Sequence, residues 1–266
     1  METNEAIRYY LLWLVFWIGL YCVELLFPVP LANKYRKLPL NDELDVRNRF
    51  ISLIHGVVAL YLSGYEFFFL PASCGDANTF YESYVMLIST AYFTYDFLAM
   101  AYYGLLDWSM TLHHFVVILG MGLNIYNGYS AHLLLGGMFV AEISNPPMHL
   151  RCMMKHLGLR YTKSYEAADI LFLVLYMLAR LILGTYQVYI AVMCDKIHIV
   201  VKLCALAILL QSYHFSLQMK SIFMKRIKDM KQRNKLNIKM NWFYPPLSKD
   251  ALEKLGCTKD EKTVPL

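Results

Sequence analysis

The sequence predicts an all-α protein, a polytopic membrane helix bundle of about seven transmembrane helices, or six if the short fourth apolar segment does not span. Three observations carry this expectation. Hydrophobic residues make up 58% of the 266 residues and charged residues only 17%, with a mean hydropathy of +0.39, well above a soluble domain of ordinary composition. The apolar residues fall in runs close to the roughly 20 residues that a helix needs to cross a bilayer. Alternating ten-residue strands, the mark of a transmembrane barrel, are absent, which leaves helices as the spanning structure.

The apolar segments run over residues 7–27, 50–70, 84–103, 111–126, 131–150, 169–194 and 198–219. The first follows Met1-Glu-Thr-Asn-Glu, which lacks the basic start and cleavage site of a signal peptide, so a retained span is expected. Pro28 and Pro30 end it, because proline cannot continue a helix. Pro146-Pro147 falls inside the fifth and is expected to kink or break it, freeing carbonyls near Ala141–Ile143. After Met219 the last helix is expected to continue as a basic surface segment to about Met240. Asn241-Trp-Phe-Tyr then brings aromatics to the interface, and Pro245-Pro246 opens a polar, partly disordered tail. The expected organisation is an N-terminal helix and basic loop (1–45), a membrane domain (46–220) and a basic cytosolic tail (221–266).

Charge sets the orientation. Lys34, Arg36, Lys37, Arg47 and Arg49 lie between the first two segments; Arg151, Lys155, Arg160 and Lys163 lie between the fifth and sixth. The tail carries Lys220, Lys225, Arg226, Lys228, Lys231, Arg233, Lys235 and Lys239. The intervening segments 71–83 and 127–130 have no Lys or Arg, and 195–197 has only Lys196. The positive-inside rule then puts the N-terminus outside, the C-terminus in the cytosol and the number of spans at an odd value. The net charge of +5 sits beside the membrane, which suits lipid headgroups and not nucleic acid. The six cysteines form no CxxC pair, so no zinc site or disulfide framework is signalled. Cys74 and Cys194 both fall outside, as a disulfide or as free thiols.

Ionisable groups within spans are costly and are functional candidates by default. His113-His114 opens the fourth apolar segment, and His55, Asp96, Glu142, Asn145, Gln211 and His214 all map to the cytosolic half of their spans. Arg180 lies nearer the midplane. The shared depth predicts a polar cavity open to the cytosol and closed on the other side. His113 and His114 point about 100° apart on a helix, so one faces the cavity while the other meets Asp96 or a backbone carbonyl. Asp96 has a purely structural alternative, as ion-pair partner of Arg180 or a histidine. Asn145 has one as partner of carbonyls freed at the proline break, and Arg180 as counter-ion of Asp96 or Glu142. His55 and His214 would by default be hydrogen-bonded bundle residues.

The run Tyr92-Phe-Thr-Tyr-Asp96, then His113-His114, then Ala141-Glu142-Ile-Ser-Asn145-Pro146 resembles the TLC-domain superfamily, which includes the ceramide synthases, the translocating-chain-associating membrane proteins and the TLC-domain-containing proteins. The resemblance covers roughly 46–220 and is strongest to the TLC-domain-containing branch. It implies a multi-pass protein of the endoplasmic reticulum or a related endomembrane, with membrane lipids as partners and a role in lipid homeostasis. In the ceramide synthases the HH pair serves acyl transfer from acyl-CoA, and His113-His114 match that pair. Their following His-Asp-x-x-Asp motif reads Ala141-Glu142-Ile143-Ser144-Asn145 here, without its histidine and with Asn145 in place of an acid.

Three readings follow. One is a non-catalytic protein that binds or regulates membrane lipids in the cavity, through His55, Asn145, Arg180, Gln211 and His214; the altered motif favours it. Another is an acyltransferase acting on lipid amines or hydroxyls. There a histidine of the 113–114 pair is the general base, Asp96 or Glu142 orients it, and acyl-CoA is co-substrate with no bound cofactor. The third is an intramembrane zinc hydrolase using His55, His214 and one of the pair.

Overall fold

The computed structural model describes residues 1–30, 37–70 and 72–255. Lys34, Arg36, Pro71 and the final stretch of the expected disordered tail, 256–266, lie outside the described residues. The chain is an all-α membrane helix bundle, and the described residues hold no strand, only an isolated bridge between Ala77 and Tyr129. The helices are α1 (Thr3–Glu24), α2 (Leu40–Phe69), α3 (Phe80–Tyr102), α4 (Trp108–Asn127), α5 (Ala131–Glu142), α6 (Asn145–His156), α7 (Lys163–Tyr176), α8 (Gly184–Met193), α9 (Ile199–Lys235) and α10 (Lys249–Lys254). A π-helical segment, Met177–Leu183, joins α7 to α8, so that 163–193 forms one rod.

Five of these rods are long and apolar enough to cross a membrane: α1, α2, α4, the α7–α8 rod and α9. The expected third and fifth spans do not reach that standard. α3 has 23 residues but is rich in Tyr, Ser and Thr. α5 has 12 residues, about 18 Å of helix against a hydrocarbon core of about 30 Å. The large apolar side chains left exposed on the spanning rods, such as Leu12, Val15, Phe68, Leu210 and Leu217, suit contact with lipid.

Local chemistry fixes the ends. Thr79 and Glu82 form a reciprocal capping box at α3, with the Glu82 backbone N–H donating to Thr79 Oγ1 and Thr79 N–H donating to Glu82 Oε2 at 2.6 Å. Asp107 Oδ1 accepts from Met110 N–H at 2.7 Å and caps α4. Gly128, at φ 77°, supplies the left-handed turn that ends α4. The expected break at Pro146-Pro147 is present. α5 stops at Glu142, and the prolines occupy the first positions of α6, where no N–H is needed.

Element starts differ from the sequence reading where charge hides helix. α2 begins at Leu40, so Arg47 and Arg49 belong to a helix and not a loop. Arg47 is buried and satisfies the end of α1, donating to Glu24 O, Phe27 O and Glu24 Oε2 at 2.9–3.0 Å. α9 extends as foreseen but ends at Lys235. Its basic face is also not wholly free for lipid. Arg226 pairs with Asp169 at 3.0 Å, and Arg233 makes a forked contact to Glu166 at 2.7 and 2.8 Å. The loop after α9 docks on the start of α7, where Lys163 N–H donates to Asn241 O at 2.8 Å, leaving Trp242, Phe243 and Tyr244 exposed. At the opposite end Cys74 and Cys194 form a disulfide, with Cα atoms 5.6 Å apart.

Between helices in lipid, apolar burial gains little, so packing and polar contacts hold the bundle. The main cluster is aromatic. Trp17 of α1 is buried among His55, Tyr92 and Phe16, and its Nε1–H donates to Ile88 O at 3.3 Å. α4 packs on α3 and α9, while α5 packs on α2 and α8. The space between those two sets holds the cavity described next.

Candidate functional site

The α4 helix begins at its Asp107 cap, and its first turns carry the adjacent histidines on different faces. His114 turns inward, 1% exposed. Its Nδ1 is 2.8 Å from Met110 O and its Nε2 is 2.7 Å from Asp96 Oδ2. Both partners are acceptors. A neutral imidazole has one N–H, so the pair holds an additional proton, shared across the Nε2–Oδ2 contact. The other Asp96 oxygen accepts from Asn48 Nδ2 at 2.6 Å, and Tyr95 OH donates to Asn48 Oδ1 at 3.1 Å. His114 therefore has no lone pair to offer a substrate.

His113 lies beside it with its ring turned 87° away, packed edge-on to Phe93, and lines a cavity. The cavity measures about 180 Å³ and is bounded by α3, α4, α5, the 177–193 segment and α9. Sequence depth predicts a polar cavity. The one found is apolar along most of its length, lined by such residues as Val116, Leu134, Met138, Val188, Ala205 and Ile208. Four of its polar groups, His113, Glu142, Arg180 and Ser212, cluster at one end. It extends towards the disulfide end, reaching Gln187, Ile197 and Lys202.

The proline break shapes the polar end. Glu142 closes α5 and Asn145 opens α6, and Asn145 Nδ2 donates to Glu142 Oε2 at 2.8 Å. Arg180, on the π-helical segment, donates from a terminal nitrogen to Asn145 Oδ1 at 3.2 Å, while its Nε is buried without a partner. Asn145 thus links Glu142 to Arg180 and does not serve freed carbonyls. Arg180 pairs directly with neither Asp96 nor Glu142 among the described residues. A π turn inside a long helix often marks a functional position, and this one carries the cavity's guanidinium.

The remaining candidates, His55, Gln211 and His214, do not line the cavity. His55 is buried in the core, stacked on Tyr92 with centroids 3.7 Å apart and 3.2 Å from Ser89 Oγ, away from the cavity. Gln211 braces α9 to the start of α4 by donating to Ser109 O and Oγ, both at 2.8 Å. His214 is on an exposed face of α9, 3.1 Å from Gln218. Gln211 also hydrogen-bonds the side chain of His113 at the cavity edge; His55 and His214 miss the cavity because rise per residue gives depth, but not which face of the helix meets a partner. Among the described residues no group of three His, Cys, Asp or Glu side chains could hold a metal, and His55 and His214 do not converge with the 113–114 pair.

Two contributors escaped the sequence reading. Asn48 completes the Asp96 site; it lies two helical turns before His55, and that spacing was the available signal. Gly56 lets α2 approach α5: a Cβ there would stand 3.3 Å from Glu142 Oε2. Nothing local in the sequence announces that contact. Asp169 was read as the first residue of a span; it is fully buried between Arg151 and Arg226.

A bundle of apolar helices that buries a proton-sharing His–Asp pair and a Glu–Asn–Arg relay beside an apolar cavity defines a multi-pass membrane protein with an intramembrane polar site. The TLC domain family model matches residues 45–224. The chain belongs to the TLC domain family, which is associated with membrane lipid-related functions. TLC domain-containing protein 4 A of Dictyostelium discoideum is 24% identical over 175 residues, 63% of this chain and 65% of that relative's length. The chain therefore spans just under two thirds of that relative. No solved structure matches.

Proposed function

We propose that this protein binds a membrane lipid in the cavity between α4, α5, α8 and α9 and thereby regulates lipid composition, without carrying out acyl transfer. The observation that supports this is the division of the two histidines. The one with a carboxylate partner has both nitrogens occupied and faces away from the cavity; the one facing the cavity has no carboxylate to orient it. A general base needs both a free lone pair and a positioned ring. An apolar slot with a few polar groups at one end instead has the form of a lipid-binding site. The acyltransferase reading, with acyl-CoA as co-substrate and His113 as base, remains the competing mechanism.

The protein resides in the endoplasmic reticulum or a related endomembrane, with the N-terminus lumenal, the C-terminus cytosolic and the polar end of the cavity towards the cytosol. The alternation of basic segments supports this orientation. So does the disulfide, which joins two segments assigned to the lumen, an oxidising compartment.

Filling the cavity tests the reading. A Cβ at Gly137 would meet only Gln187 Cγ, at 3.8 Å, so Gly137→Leu can project into the slot without a backbone clash. Native mass spectrometry of the purified protein is expected to show bound lipid in the wild type and at most about a tenth as much in Gly137→Leu. Equal occupancy removes the cavity as the binding site. Turnover of acyl-CoA by wild type that is lost in His113→Ala would establish catalysis in its place.

A further inference from the structure

The polar end of the cavity constrains the ligand by charge. Glu142 contributes one negative charge and Arg180 one positive, held together through Asn145 at 2.8 and 3.2 Å. A guanidinium among apolar walls requires a counter-charge, and Glu142 is the carboxylate that lines the cavity with it. His113 adds no acid partner of its own, and the Asp96–His114 pair behind it balances internally. Lys202, the remaining charged lining residue, is about 15 Å along α9 from Ser212, and its Nζ donates to Val192 O at 2.7 Å. With Glu142 as the carboxylate, the walls at this end sum to zero.

A headgroup carrying net charge would add an uncompensated ion to a low-dielectric site, at a cost of several kcal/mol. A hydroxyl fits without that cost, because it donates and accepts at once. The complementary groups are present. Arg180 Nε–H is a buried donor without a partner, and the Asn145 bond is made to Glu142 Oε2, leaving Oε1 as acceptor. We infer that the cavity selects a single-chain lipid, or one chain of a larger lipid, whose polar end is an uncharged hydroxyl. The hydroxyl donates to Glu142 and accepts from the Arg180 guanidinium, and its chain lies along the apolar wall towards Val188 and Val201. Size supports one chain. An apolar cavity of about 150 Å³ holds one benzene, so about 180 Å³ takes the head and first part of one chain, with the rest running outward.

This inference rests on the cavity being a lipid site, and the test separates the two. Oleyl alcohol, oleate and oleylamine share one chain and differ only in an uncharged, negative or positive end. Binding of each to the full chain in nanodiscs is measured at about pH 8, where oleate is ionised and oleylamine protonated. The alcohol is expected to bind at least about tenfold more tightly than either ion. Glu142→Gln leaves Arg180 unbalanced and is expected to shift the preference to oleate; Arg180→Gln is expected to shift it to oleylamine. A wild type that prefers oleate or oleylamine overturns the charge inference and leaves the lipid site standing. Failure of all three probes to bind overturns both. The wild-type series decides the matter even if a variant does not fold.

Discussion

Removing the His114 ring would leave Asp96 buried with only Asn48 for a partner, and remove the proton that the pair shares. Breaking a buried pair from one side costs about 3–5 kcal/mol. Asp96→Asn is milder, because a neutral amide beside a neutral imidazole keeps a hydrogen bond. His113 touches the cavity, aromatic edges and the half-buried Gln211 side chain, and its truncation leaves no buried charge unpaired. Thermal melts in detergent are therefore expected to rank His114→Ala well below Asp96→Asn, with His113→Ala within about 1 kcal/mol of wild type. Ligand occupancy should rank differently, with His113→Ala affected and any folded His114 variant retaining it. Equal loss of stability in both alanine variants would contradict the distinct roles given to the two histidines. That adjacent residues differ so much follows from the 100° step between them, and this much was readable from the sequence. Which histidine turned inward was not, because it depends on where α3 presents Asp96.

At the scale of elements, the basic extension of α9 is tied to α7 at two places of unequal worth. Asp169 is fully buried and receives both Arg151 of α6 and Arg226 of α9. Asp169→Asn leaves two guanidinium groups without their shared carboxylate, at a cost of about 3–5 kcal/mol. The Glu166–Arg233 contact is better solvated, with side chains about 15% exposed, and Arg233→Ala is expected to cost about 1 kcal/mol or less. Hydrogen exchange over 220–235 should show the difference, with fast exchange in Asp169→Asn and near-wild-type protection in Arg233→Ala. Matching protection in both would mean that α9 is held by packing alone. Composition, apolar runs and the Pro146-Pro147 break made most of the helices legible. Arg47, Arg151 and Arg226 were legible only as charges near a membrane. Arg47 has one partner at helical spacing, Glu43, but Glu24 and Asp169 come from other helices, and pairing across helices is a tertiary fact that spacing within one segment does not encode. The π-helical segment carrying Arg180 was likewise invisible, since Met177–Leu183 reads as ordinary apolar helix.

At the scale of the whole molecule, orientation joins charge distribution to redox chemistry, and the two can be tested in one preparation. In the orientation proposed above, α9's extension lies in the cytosol and residues 74 and 194 lie across the membrane from it, as the basic segments and the disulfide both support. In sealed vesicles with the cytosolic face outward, a membrane-impermeant phosphine should not reach the Cys74–Cys194 bond. A maleimide-polymer mass tag should then add nothing at those two positions until detergent opens the vesicles. In the same vesicles Lys231→Cys, on the exposed face of α9, should be tagged before detergent is added. The control is the Cys74→Ser, Cys194→Ser double variant, which must lose the detergent-dependent tagging. Reduction of the disulfide in sealed vesicles, with Lys231→Cys protected, would invert the molecule. It would place the Arg180 end of the cavity on the lumenal side, where a cytosolic lipid or acyl-CoA could not enter from that end.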